Sequence, residues 1–181
     1  MQRLALFDLD NTLVDRSEAF RLWAVEFCAD HGLPGDALAW LIASDQDGSV
    51  PRDWFFGEVT ARFGLASVDT AWGQYRRRMP ELVSCPDEVL EALTLLRGDG
   101  WTVGREIFEA AAHGCGLDLR AGGWAIGDNP VLDVEGGRAA GLSTAWVSRG
   151  KDWPAELAPP DRTVPDVVAA VQVLRDEDAG R

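Results

Sequence analysis

At 181 residues, 46% of them hydrophobic and 26% charged, the chain can support one hydrophobic core, or a core carrying a smaller inserted module. A formal charge of −13 disfavours nucleic acid and anionic membranes as partners, because phosphate binding needs clustered Lys and Arg, and it favours a bound cation. No run of about 18 apolar residues and no basic-then-apolar leader occurs in the sequence, so a soluble, cytoplasmic protein is expected.

Residues 3–9, "RLALFDL", are a short apolar run ending in acids, which predicts a buried strand with its C-terminal edge near Asp8. "SEAFRLWAVEFCADHG" follows with a Ser17 cap and apolar residues at Phe20, Trp23, Ala24, Phe27 and Cys28, the spacing of one helix face. "PGDALAWLIASDQDG", "PRDWFFGEVTARFG" and "SVDTAWGQYRRRM" repeat that pattern, giving four helices in a row. The run Arg76-Arg77-Arg78 on the last of them reads as a solvated face.

After Pro80 the pattern changes. "CPDEVLEALTLLRGDG" is helical, "WTVG" begins like a strand, "REIFEAAAHGCGL" is helical and "GGWAIGDN" is an apolar strand reaching an acid. "PVLDVEGGRAAGL" is helical, "STAWVS" is a strand, and "VPDVVAAVQVLRDE" is a closing helix. Alternating strands and helices imply crossover connections and an α/β fold, a doubly wound parallel sheet. The joints near residues 14–17 and 80–86 make residues 1–15 and 81–181 the α/β core and 16–80 an inserted all-helical module.

Cys28, Cys85 and Cys115 are odd in number and widely spaced, and the two histidines, His31 and His113, each precede a glycine. Disulfides and zinc are disfavoured; the cysteines are expected to be buried or half-buried in a reducing compartment, and the histidines to sit at helix ends.

The acids form the informative pattern. Asp8 and Asp10 close the first strand, Asp128 closes "WAIG", and Asp133 lies five residues on, in the first turn of the next helix. If the two strands are neighbours in a parallel sheet, four carboxylates converge, which is costly without a cation among them. Oxygen ligands suit Mg²⁺, which would keep several waters at roughly 2.0 to 2.1 Å and accept a phosphate oxygen.

"DLDNTLVD" and "GDNPVLD" resemble the first and fourth signature motifs of the haloacid dehalogenase-like (HAD) hydrolase superfamily, and "GDNPVLDVEGGRAAGL" with "TAWVSRG" extends the likeness through the C-terminal half. The resemblance implies a phosphatase-type enzyme with a helical cap at residues 16–80 that closes over the site and sets substrate preference. Asp8 would be the nucleophile that forms an aspartyl-phosphate, and Asp10 the general acid and then base. Mg²⁺ would be held by Asp8, the Asp10 backbone carbonyl and Asp128, with Asp133 bound to it directly or through water. Asn11, Thr12, Arg105 and Lys151 are candidate substrate-side residues; Phe20 and Trp23 have the helical spacing of core aromatics, with a substrate-facing role as the alternative because they lie close in sequence to Asp8, and the partner is a small phosphorylated metabolite. An Asp at position 10 is similar to the family's phosphatases; its dehalogenases lack that acid.

Two family parts have no counterpart. The Thr or Ser at the end of the second core strand and the Lys before a later helix are both missing between "GDGWTVG" and "REIFEAAA", together with a third strand, so the sheet is expected to lack an edge strand. Thr102 opens its strand, roughly 15 Å from the far end at about 3.3 Å per residue. Arg105 is better placed, but a guanidinium is not an ammonium. Lys151, the only lysine in the chain, follows the last predicted strand. A catalytically impaired relative that binds metal, ligand or partner is therefore the alternative, with halide-releasing hydrolysis behind it.

Overall fold

The computed structural model describes residues 2–104 and 118–179. It divides into two compact units, Met1–Val14 with Cys85–Arg181, and Asp15–Ser84. The expected helix through His113 and Cys115, and Arg105 at its start, lie outside the described residues.

In the first unit five parallel strands form one sheet: β1 (Leu4–Phe7), β2 (Thr102–Gly104), β3 (Trp124–Gly127), β4 (Ser143–Val147) and β5 (Arg162–Val164), in the order β2-β1-β3-β4-β5. Every residue of β1 and β3 is buried, which is why both read as unbroken apolar runs rather than alternating ones. Alternate residues still divide between two faces. Ala5, Phe7, Trp124, Ile126, Ala145 and Val147 pack with Val89, Ala92 and Leu96 of α5 (Asp87–Gly98) and with the closing helix. Leu4, Leu6 and Ala125 pack with Leu142 on the other face.

Three local departures from the sequence pattern have physical causes. Strand β5 was not expected: of its three residues only Val164 is buried, too little for any periodicity. It is attached through Asp161, whose carboxylate accepts from the Thr144 amide at 2.8 Å and the Thr144 hydroxyl at 3.0 Å. "PVLDVE" is a π-helical turn (Pro130–Glu135) that runs into the short α6 (Gly136–Ala139), rather than one regular helix. The closing helix, α7 (Val167–Ala179), starts after Asp166, whose carboxylate accepts from the Ala169 amide at 2.8 Å. Among the described residues β2 is the outermost strand on its side of the sheet.

The second unit holds α1 (Arg16–His31), α2 (Ala37–Asp45), α3 (Arg52–Phe63) and α4 (Val68–Leu82). The cap of α1 is Asp15, which accepts from the Glu18 amide, and not Ser17, whose hydroxyl instead donates to Asp47 at 3.0 Å. Gly32 ends α1 at φ 60°, with His31 as its last residue. Helix α4 runs past Pro80 to Leu82, since proline near a helix end forfeits a single hydrogen bond. No described helix is long and apolar enough to cross a membrane.

An ionic group is buried beside this aromatic core. Both carboxylate oxygens of Asp45 accept from Arg16, at 2.6 and 2.9 Å, and one also accepts from Arg52 at 2.5 Å. Tyr75 takes a further Arg16 bond at 3.2 Å, and the Gly48 amide closes the shell of Asp45 at 2.9 Å. Gly48 has φ +87°, and a Cβ there would stand 2.9 Å from the Arg16 guanidinium, so the loop depends on glycine twice over. Pairing with Asp45 and Tyr75 outweighs burial and holds Arg16 firmly protonated. Removing the shared acid leaves two cations without their counter-charge. Asp45→Ala is expected to lower unfolding stability by about 3–5 kcal/mol, read from urea denaturation; a loss under about 1 kcal/mol would contradict this account.

Candidate functional site

Parallel strands bring their C-terminal ends to one edge of the sheet. Asp8 follows β1 and Asp128 follows the adjacent β3, and the Asp8 amide continues the ladder by donating to the Ile126 carbonyl at 2.8 Å. Asp133 joins them through the π-helical turn. Carboxylate oxygens of Asp8, Asp128 and Asp133 all lie within 4.8 Å of one another.

The turn is built to deliver that third acid. Asn129 Oδ1 accepts from the Val131 and Leu132 amides, both at 3.0 Å, and Pro130 takes a position where no amide is needed. The Asn129 amide donates to Asp133 Oδ2 at 2.8 Å. Gly127 leaves the necessary space: a Cβ on it would stand 2.0 Å from that same oxygen. On the other side, the Trp146 indole donates to the Asp128 carbonyl at 2.8 Å.

Crowding marks the electrostatics. Burial pushes the Asp133 carboxyl up to about 7 against the pull of the Asn129 amide, and the charges of Asp8 and Asp128 add to the rise. Burial also raises the Asp8 carboxyl, with the Leu9 backbone opposing, Asp10 reinforcing and Thr12 opposing weakly. Three mutually repelling carboxylates with oxygen-only donor atoms fit a hard divalent cation, which would relieve the repulsion.

The remaining predicted residues divide. Asp10 is exposed and its carboxylate stands outside the trio, although its charge acts on Asp8. Asn11 is buried at φ 59°, a left-handed conformation that Asn tolerates better than most residues. Thr12 is buried with its Oγ1 lacking a hydrogen bond of proper geometry, so its influence on Asp8 is one of proximity. Thr102 pairs with Leu4 and only Gly104 reaches the level of Leu6, so the Thr102 hydroxyl belongs to the wrong end of β2. Lys151 is exposed four residues beyond β4, at the C-terminal edge. Arg105 lies outside the described residues.

Phe20 and Trp23 are each 2% exposed in the helical unit's own core, the reading their spacing favoured over a substrate-facing one. Phe20 packs on Phe55, and Trp23 stacks on Phe27 at 4.8 Å. Their helical spacing is satisfied by packing. In the arginine run, Arg78 is paired with Glu26 and Glu81, and Arg76 lies over Trp72. The sequence reading missed Gly127, the Asn129 amide and Trp146. The signals were a glycine directly before the acid, an Asn-Pro helix start, and a tryptophan at the end of a strand.

Residues 104–171, which contain Asp128 and Asp133, match a family model described as HAD-hydrolase-like. Over this stretch the chain resembles the HAD-like hydrolases. Among curated proteins no sequence matches significantly. Solved structures similar to this chain include YfnB of Bacillus subtilis, a HAD-hydrolase bound to magnesium, at 19% identity and TM-score 0.69 over 96% of this chain and 99% of that one. A HAD phosphatase from Thermococcus onnurineus matches at 16% identity and TM-score 0.61 over 96% and 98%. A 2-haloacid dehalogenase from Pseudomonas syringae matches at 21% and 0.57 over 98% and 100%. At these identities the structural likeness is one of fold.

Two outcomes follow for this site. Gly127→Ala drives a methyl group into Asp133 and is expected to weaken divalent-cation affinity at least about 10-fold in a Mn²⁺ titration; unchanged affinity would remove Asp133 from the cation's surroundings. In the metal-free protein, a carboxyl raised from 3.8 to about 7 binds its proton more tightly folded than unfolded. Its contribution is therefore full below about pH 4 and is lost as pH rises towards 7. Denaturant titrations in EDTA should register that decline, and Asp133→Asn should flatten it.

Proposed function

We propose that the protein is a Mg²⁺-dependent phosphatase of small phosphorylated metabolites, working through an aspartyl-phosphate on Asp8. The observation that carries this reading is the trio of Asp8, Asp128 and Asp133, gathered within 4.8 Å at the end of the sheet with Asp10 two residues past Asp8. The carboxylates of Asp8, Asp128 and Asp133, with the Asp10 backbone carbonyl, would hold the ion. When bound, Mg²⁺ neutralises these acids and the phosphoryl oxygens.

The chain's own residues carry the chemistry. A carboxylate oxygen of Asp8 attacks phosphorus, the ester P–O bond breaks, and Asp10 gives its proton to the departing oxygen. Asp10, now ionised, takes a proton from water as that water attacks the aspartyl-phosphate, which releases inorganic phosphate and restores both acids. The exposure of Asp10 suits a group that must meet leaving group and water in turn. Choice of substrate is assigned to the inserted helical unit. Asp10 also favours phosphoryl transfer over carbon–halogen cleavage, although both activities occur among proteins of this fold.

A second reading rests on β2. Its last residue is a glycine and its one hydroxyl sits at the opposite end, so the described part of the strand offers no side-chain donor to a phosphoryl group. Loss of one such donor costs on the order of 10²–10³ in rate, and a metal-binding protein with little turnover is what that deficit favours.

Aryl phosphate hydrolysis with Mg²⁺ separates the two. For the enzyme, Asp8→Asn is expected to abolish turnover and Asp10→Asn to lower kcat by about 10²–10⁴, with cation binding by Asp10→Asn close to that of the parent. Equal rates for parent and Asp8→Asn, with cation binding intact, would overturn the phosphatase reading in favour of the binding protein.

A further inference from the structure

One peptide unit links two acids of the site. The Asp128–Asn129 peptide presents its carbonyl to the Trp146 indole at 2.8 Å and its amide N–H to Asp133 Oδ2 at 2.8 Å. The plane of this peptide therefore sets both the direction in which Asp128 leaves β3 and the position of the Asp133 carboxylate. A planar peptide held at both poles cannot rotate without breaking one of the two bonds.

The donor is itself held rigidly. Trp146 is 2% exposed and stands opposite Gly127 in the β3–β4 register. Its ring meets Trp153 edge to face, with centroids 5.0 Å apart and planes at 78°. Trp153 is anchored in turn, its indole donating to the Leu157 carbonyl at 3.1 Å. Phe or Leu would also bury apolar surface at this strand position, though less of it; tryptophan adds an N–H that neither has, and here that N–H donates to the Asp128 carbonyl of the loop bearing the acids.

We infer that Trp146 is a positioning residue for the cation site, its indole N–H fixing the Asp128–Asn129 peptide so that Asp128 and Asp133 converge with Asp8. The inference rests on the metal reading given above. Trp146 acts through the backbone of Asp128, in the manner of outer groups that orient metal ligands. The edge-on Trp153, anchored to the Leu157 carbonyl, extends the support to the segment following β4.

The test compares the full-length parent with Trp146→Phe, which keeps an aromatic ring and removes the N–H. Two readouts are taken: amide hydrogen exchange at Asn129 in metal-free protein, and the Kd for Mn²⁺. The inference expects faster exchange at Asn129 and a Kd raised about 10- to 100-fold, while the EDTA unfolding midpoint stays within a few degrees of the parent. Exchange at Asn129 equal to the parent's would overturn it. A fall in unfolding midpoint that accounts for the weaker binding would overturn it too, leaving Trp146 as packing alone. Should the smaller ring prevent folding, benzothienylalanine at position 146 keeps the shape of the indole while replacing N–H by sulfur, and the same readouts decide. If the parent itself binds no Mn²⁺, the metal reading falls, whereas the exchange at Asn129 still decides whether the indole holds the peptide.

Discussion

Repulsion among three carboxylates at the end of two neighbouring strands is the constraint on which the sheet unit turns. Bringing Asp8, Asp128 and Asp133 within 4.8 Å raises the energy of the metal-free fold, and the Asp133 carboxyl is elevated chiefly by its burial, with the charges of Asp8 and Asp128 adding to the rise. Opposing that cost takes rigid scaffolding. The buried β1–β3 pair supplies two of the acids, and an irregular turn capped by Asn129 supplies the third. A π-helical turn in this place, where a regular helix would aim Asp133 elsewhere, is local irregularity retained at a site of chemistry.

The helical unit solves a different problem with the opposite sign of charge. Two arginines share one buried acid, and the guanidinium of Arg16 lies over Phe20 while that of Arg52 lies over Phe55. Where the sheet unit concentrates acids at an edge, this unit compensates its cations internally. The first arrangement invites an ion and the second is already complete.

The sequence showed the sheet plainly where burial was total. β1 and β3 are apolar throughout, and a period of 2 or 3.6 was not needed to find them. The acids were legible because carboxylates at strand ends have few structural reasons to recur in pairs. What the sequence hid depended on through-space relations. β5 is only three residues long, the Arg16–Asp45–Arg52 group joins positions far apart, and the roles of Gly127 and Trp146 exist only once β3 and β4 lie side by side. Phe20 and Trp23 carried an ambiguous signal, since an aromatic on a helix has the same spacing whether it meets a ligand or its neighbours.

The loop between the second and third acids also governs how this protein can change over evolutionary time. Gly127 admits no side chain without collision, and Asn129 and Asp133 are bound to each other, so those positions are locked together. Between them Val131 and Leu132 stand 52% and 69% exposed and are held through their backbones. Their side chains can drift in size and polarity while the carboxylates stay in register. Substitution at the tip of this loop can thus leave its acids where they are.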